Sequence, residues 1–212
     1  MDPLVNKYCS LSPYNYVSNN PLKFVDPNGK EIIVPNINDR TSVLKMINNK
    51  ALGAFAFDKS GKLYLAKTSG NGSKLSAYYR DKLVSAIDDK QKINISIEQT
   101  YTINGKVKDV DKDSGGGVTI KDTKTEIDHI TGNKTITKEA DVVISGHEYV
   151  GLKGTNGNPI KDDSSDILVH ELVGHAIPFI TNSDTGNAVD NENKVRNQTG
   201  EPERAEEPTH LE

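Results

Sequence analysis

Residues 163–180 read D-S-S-D-I-L-V-H-E-L-V-G-H-A-I-P-F-I, and no other stretch limits the fold as strongly. Asp and Ser at 163–166 form an N-terminal capping run, and Ile167, Leu168, Leu172 and Val173 would bury the following helix against a sheet. Inside that apolar stretch lie His170, Glu171 and His175. Two imidazoles and a carboxylate on a buried helix are costly unless something satisfies them. Their spacing adds a second constraint. Residues four apart on an α-helix lie about 40° apart around its axis, whereas residues five apart lie roughly 140° apart, on diverging faces. Two backbone paths bring His170 and His175 together. A one-residue π-bulge stacks the i, i+5 pair, and Gly174 tolerates that distortion. Alternatively the helix ends near Val173, Gly174 turns the chain and His175 approaches from a loop, an early end that Pro178 supports.

Composition narrows what could satisfy those groups. Cys9 is the only cysteine, which excludes an internal disulfide framework and a multi-cysteine zinc site, so any metal must be held by His, Asp or Glu. The net charge of -4, with signs interspersed, leaves no basic footprint for nucleic acid. No apolar run approaches the roughly 18 residues of a membrane span, and residues 1–20 lack the basic and apolar regions of a secretory signal. With 212 residues, 34% of them hydrophobic, the chain supports one core of moderate size plus some lightly packed sequence.

Turn chemistry dominates residues 1–30, which read as an extended strap anchored only by Tyr14, Tyr16, Leu22, Phe24 and Val25. From Glu31 the pattern is that of an α+β unit. Residues 31–34 form a strand, Asp39 opens a helix through about Lys50, and a hairpin joins Ala54–Phe57 to Leu63–Leu65. A helix starting at Ser73 carries Leu75, Tyr78, Tyr79, Leu83, Ala86 and Ile87 on one stripe. Ile93, Ile95 and Ile97 alternate with polar residues, as do stretches in 117–130 and 135–144, so a small, mainly antiparallel sheet is expected. Residues 151–164 read as loop, a short helix fits 187–197 with a stop at Gly200, and the acidic tail 201–212 reads as flexible.

The helix at 163–180 resembles that of zincin metalloproteases, in which two histidines bind zinc and the glutamate after the first histidine is the general base. Two further resemblances extend this. Ser12-Pro13-Tyr14-Asn15-Tyr16, Asn19-Asn20-Pro21 and Phe24-Val25-Asp26-Pro27-Asn28-Gly29 resemble the end of the RHS-repeat-associated core of bacterial polymorphic toxins, a segment that closes a shell ahead of a variable toxin domain. His170-Glu171-Leu172 with His175-Ala176, then Ala188-Val189, Glu192-Asn193 and Arg196, resemble the zinc-metallopeptidase toxin domains attached to RHS proteins. The implied layout is a shell-closing segment at 1–30, a zincin-like domain at 31–200 with its metal-binding helix near the C-terminus, and a tail. The implied ligands of Zn2+ are His170, His175 and a downstream acid, with Glu192 first in order, Asp184 second and Asp190 third. Glu171 is then the catalytic base, and Arg196 orients Glu192 or binds substrate. The implied partners are a polypeptide substrate, a cognate immunity protein and the RHS shell of the full-length chain, with secretion and delivery into a target cell.

Other readings stand beside these. A zinc site with a Glu base also suits another amide hydrolase, and the five-residue spacing also suits a binding module that has lost its metal. Glu192 and Arg196 form an ordinary i, i+4 helix pair if no metal is present. His147 after Ser145-Gly146 reads as a turn residue, His129 as a strand residue and His210 as part of the tail. Cys9 reads as structural, and the glycines at 115–117 read as a turn. Because residues 1–30 offer few apolar anchors, a chain starting at Lys30 should melt within a few degrees of the full chain, as measured by thermal denaturation. A larger drop would place that segment in the core.

Overall fold

The computed structural model describes residues 31–68, 74–183 and 187–206. Residues 1–30 with Cys9, Ser73, Asp184 and the residues from 207, His210 among them, lie outside the described residues; the helix expected from Ser73 begins at Ala77, with Ser76 as its N-cap. The order of elements is β1 (Glu31–Ile33), α1 (Arg40–Lys50), β2 (Ala54–Phe57), β3 (Leu63–Lys67), α2 (Ala77–Ile87), β4 (Lys92–Ile97), β5 (Thr100–Ile103), β6 (Lys106–Asp109) and α3 (Val110–Ser114). There follow β7 (Gly117–Ile127), β8 (Lys134–Ile144), β9 (Tyr149–Lys153), β10 (Pro159–Asp162), α4 (Ser164–Val169), a π-helical segment (His170–Ala176), α5 (Ile177–Thr181) and α6 (Ala188–Thr199).

The chain is α+β with small sheets in which antiparallel pairings outnumber parallel ones. The central sheet is mixed. Its order is β1-β4-β8-β7, with β1, β4 and β8 parallel and β7 antiparallel at the edge. Side-chain alternation sorts its two faces. Ala140, Val142 and Ile144 of β8 join Ile93 and Ile95 in the main core with Leu168, Leu172 and Ile177 of the C-terminal helices. Val143, between them in sequence, points the other way and meets Val118, Ile120, Tyr101 and Val110. The helix at 163–180 is thus buried on a sheet, as its apolar residues require.

The edge strand is exposed to further pairing. Ser145 N donates to Gly116 O and Asp128 N to Asn133 O, each at 2.9 Å. Hydrogen-bonded pairs alternate in an antiparallel ladder, so the even-numbered residues of β7 bond β8. The backbone groups of Gly117, Thr119 and Lys121 consequently point outward, where no described strand pairs with them.

Two stretches differ from expectation. Residues 151–164, read as loop for their Gly, Asn and Pro content, contain the hairpin β9–β10; its register shift between Pro159 and Lys161 hides the alternation that would reveal it. Residues 201–206, read as flexible tail, lie along that hairpin: Thr155 N donates to Glu203 O at 3.0 Å and Ala205 N to Lys153 O at 2.8 Å.

Lys50 fastens the helices to one another. At the last turn of α1, 5% exposed, it sits 2.6 Å from Asp166 of α4 and also pairs with Glu201 after α6. Removing one partner of a buried pair strands the other charge. Lys50→Met should therefore lower stability by about 3 kcal/mol in urea denaturation, and a loss below about 1 kcal/mol would show that solvent or relaxation compensates.

Candidate functional site

Asp163 caps α4 by accepting from Ser165 N at 2.8 Å and Asp166 N at 3.1 Å, and Asp166 returns the bond in a capping box. The helix then runs without interruption to Thr181, but its middle is wound as a π-helix from His170 to Ala176. Ile177 N reaches back five residues to Leu172 O. In such a turn residues five apart stack, and the His170 and His175 rings lie 5.0 Å apart between centroids with their planes at 80°. Of the two backbone paths open to the sequence, the structure takes the bulge. Pro178 does not end the helix, which passes through it into α5 directly after the last π-turn.

Gly174 has a different task from the one its flexibility suggested. Its backbone is helical, and a Cβ there would meet the Ala188 Cβ at 2.8 Å and its Cα at 3.2 Å. The glycine lets the start of α6 pack against the π-segment. Ala188, the first residue of the downstream block, is thereby explained by packing.

The two histidines and Glu171 line one cavity of about 660 Å³, together with Thr119 of β7, Tyr149, Asp162 and Arg204. Glu171 is 5% exposed, and Thr119 Oγ1 donates to its Oε2 at 2.6 Å. Burial pushes the Glu171 pKa up, against the opposing influence of His170 and the Thr119 bond. A carboxylate so placed accepts a proton more readily than one in water, which suits a general base. The third glycine of the 115–117 run serves this carboxylate. A Cβ at Gly117 would lie 2.7 Å from Ile167 Cγ2 and 2.9 Å from Glu171 Oε1.

Glu192 lies wholly buried behind His170. Its Oε2 receives His170 Nδ1 at 2.8 Å and Arg204 Nη1 at 3.1 Å, and its Oε1 receives Arg196 Nε at 2.5 Å. Arg196 also donates to Asp162 at 2.5 Å. Burial works against ionising Glu192, yet the His170 bond and the neighbouring cations hold its pKa at about 2. Burial likewise works against charging His170, and the bond to Glu192 outweighs it, so the histidine's pKa is raised. Asp162 is pushed up to about 7 by burial and the Glu192 charge, with Arg196 opposing.

The structure thus gathers His170, His175 and Glu171 at the cavity, and sets Glu192 and Arg196 one layer behind. Asp190 is exposed in the first turn of α6. His147 is an exposed residue paired with Asp111 at 2.9 Å, and His129 is an exposed residue at the tip of the β7–β8 hairpin. Among the described residues no three His, Cys, Asp or Glu side chains converge on one point. Thr119, Asp162 and Arg204 were not singled out by the sequence. Thr119 and Asp162 carry no motif, and the one available signal for Arg204 is that it is the sole cation in E-P-E-R-A-E-E.

Two histidines on one face, one of them backed by a carboxylate on Nδ1, form a donor set that suits zinc or another divalent ion accepting imidazole nitrogen. Comparison with family models, with curated proteins and with solved structures finds no significant match.

If close packing is the task of Gly174, Gly174→Ala should cost about 1–3 kcal/mol, and Ala188→Gly in that background should restore most of it in a double-mutant cycle. Absence of rescue would return the glycine's role to backbone freedom.

Proposed function

We propose that the chain is a zinc-dependent metallopeptidase acting as the toxin end of an RHS polymorphic toxin. The observation that carries this reading is the π-turn, which stacks His170 on His175 beside buried Glu171 in one cavity. His170 and His175 would hold the ion, and a third donor would complete the site. When bound, zinc supplies Lewis acidity toward a carbonyl and toward water.

This chain's own residues supply the rest. Glu171 takes the proton of the attacking water and returns it to the leaving amine, with Thr119 holding its Oε2 in place. The outward backbone groups of Gly117, Thr119 and Lys121 border the same cavity, so an extended polypeptide can pair with β7 and lie across Glu171. That arrangement favours a peptide bond over other amides. Delivery into a target cell, a cognate immunity protein and shell closure belong to the proposal on the strength of residues 1–30 alone. No helix among the described residues is long and apolar enough to cross a membrane.

The purified 212-residue chain should hold about one zinc per molecule by elemental analysis, and His170→Ala or His175→Ala should lose it. Glu171→Gln should retain the metal while release of new amino termini from a peptide mixture falls by about 10²–10⁴-fold. Stoichiometric zinc in the double histidine variant would sink the assignment.

A further inference from the structure

We propose that the segment after Gly200 completes the site: Arg204 locks Glu192 onto His170 Nδ1, so that Glu192 positions the histidine rather than serving as a ligand itself. This rests on the metal reading of His170 and His175.

The argument begins with donors and acceptors. Glu192 is fully buried, and its two oxygens receive three hydrogen bonds, from His170, Arg204 and Arg196. An ionised carboxylate only accepts, and guanidinium only donates. Glu192 Oε2 lies 2.8 Å from Nδ1 and Arg204 Nη1 3.3 Å from it, so the shorter bond sets the tautomer: the proton sits on Nδ1, and in the neutral ring the lone pair belongs to Nε2. A histidine that ligates a metal commonly has its other nitrogen held by a carboxylate in this way, which fixes both tautomer and ring orientation. For Glu192 to swing forward as a ligand, it would have to leave two buried guanidinium groups.

Arg196 grips the other oxygen, Oε1, and Asp162, so the Oε2 that faces His170 is held by Arg204. Arg204 is the second cation, 6% exposed, and its own position is built by the fold. Asn193 clamps its backbone from both sides, accepting from Arg204 N at 2.8 Å and donating to Arg204 O at 2.9 Å. A β-bridge joins Gly154 to Arg204. The consecutive pair Glu192-Asn193 thus does one job, with the first residue gripping the histidine and the second gripping the arginine that secures it.

The test uses the full chain with Arg204→Ala, Arg204→Lys and Glu192→Gln variants. In metal-free protein labelled with ¹⁵N at histidine, at a pH high enough that the ring is neutral, long-range ¹H–¹⁵N spectra should show His170 protonated on Nδ1, and Arg204→Ala should give a mixture of tautomers. Zinc affinity, measured against a chromophoric chelator, should fall about 10–100-fold in Arg204→Ala. It should recover in part in Arg204→Lys, which restores the charge but not the fork. Glu192→Gln still accepts from Nδ1 and should lose no more than Arg204→Ala. If Arg204→Ala does not fold, the Lys and Gln variants carry the same comparison. A wild-type His170 protonated only on Nε2, Arg204→Ala affinity within twofold of wild type, or a Glu192→Gln loss far beyond 100-fold would overturn the proposal. Should the wild-type chain bind no zinc while its tautomer still depends on Arg204, the clamp stands and the metal reading falls.

Discussion

One extra residue in a buried helix is the constraint on which the site depends. Had residues 164–181 formed a regular α-helix, His170 and His175 would diverge, and one of them would be pressed into the sheet or the neighbouring helices. Winding the middle as a π-helix avoids this, but it widens the helix and must be filled from outside. The start of α6 fills it, with Ala188 against Gly174 at a separation that admits no additional methyl group. From that contact α6 carries Glu192 one turn onward to the back of His170. The bulge, the small residues at the helix contact and the buried carboxylate are therefore successive consequences of one geometry.

Buried charge organises the second layer. Asp162, Asp166, Glu171 and Glu192 lie within the fold, opposed by Lys50, Arg196 and Arg204. Each cation bridges elements distant in sequence. Lys50 ties α1 to α4 and to the segment after α6, Arg196 ties α6 to β10, and Arg204 ties the last described segment to α6. Such pairs add little net stability compared with apolar packing, but breaking one leaves a stranded charge, so they hold the elements in one arrangement.

What was legible in the sequence followed local rules. The capping run at 163–166, the alternation of Ile93, Ile95 and Ile97 and the stop at Gly200 are each set by neighbouring residues, and each appears where expected. The histidine spacing was legible as a conflict with two solutions, and only packing selects between them. Less visible were features set by distant contacts. The β9–β10 hairpin owes its stability partly to the pairing of residues 203–205, which carry no strand pattern of their own. Glu192 was singled out in the sequence as a ligand candidate, whereas its place behind the histidine depends on Arg204 and Arg196 arriving from elsewhere. Gly117 looked like a turn glycine because the run around it is one, and its close approach to Glu171 exists only once the sheet and helix are stacked.

The balance of the buried network bears on the proposed cation. Four carboxylates face three permanent cations, an excess of negative charge in a poorly hydrated interior. Burial disfavours the charged form of its acids. Asp162 is carried to about 7 and Asp166 to about 6, in each case first by burial, and His170 is favoured in its charged form by Glu192 and Glu171. Proton uptake at these groups would offset that negative charge. His170 and His175 would hold a divalent ion in that role, its positive charge competing with the second proton of His170 while Glu192 keeps the first on Nδ1. The same carboxylate that makes His170 a stronger base makes it a stronger donor, so proton and metal compete for one nitrogen, and burial of Glu192 behind the ring sets the strength of both.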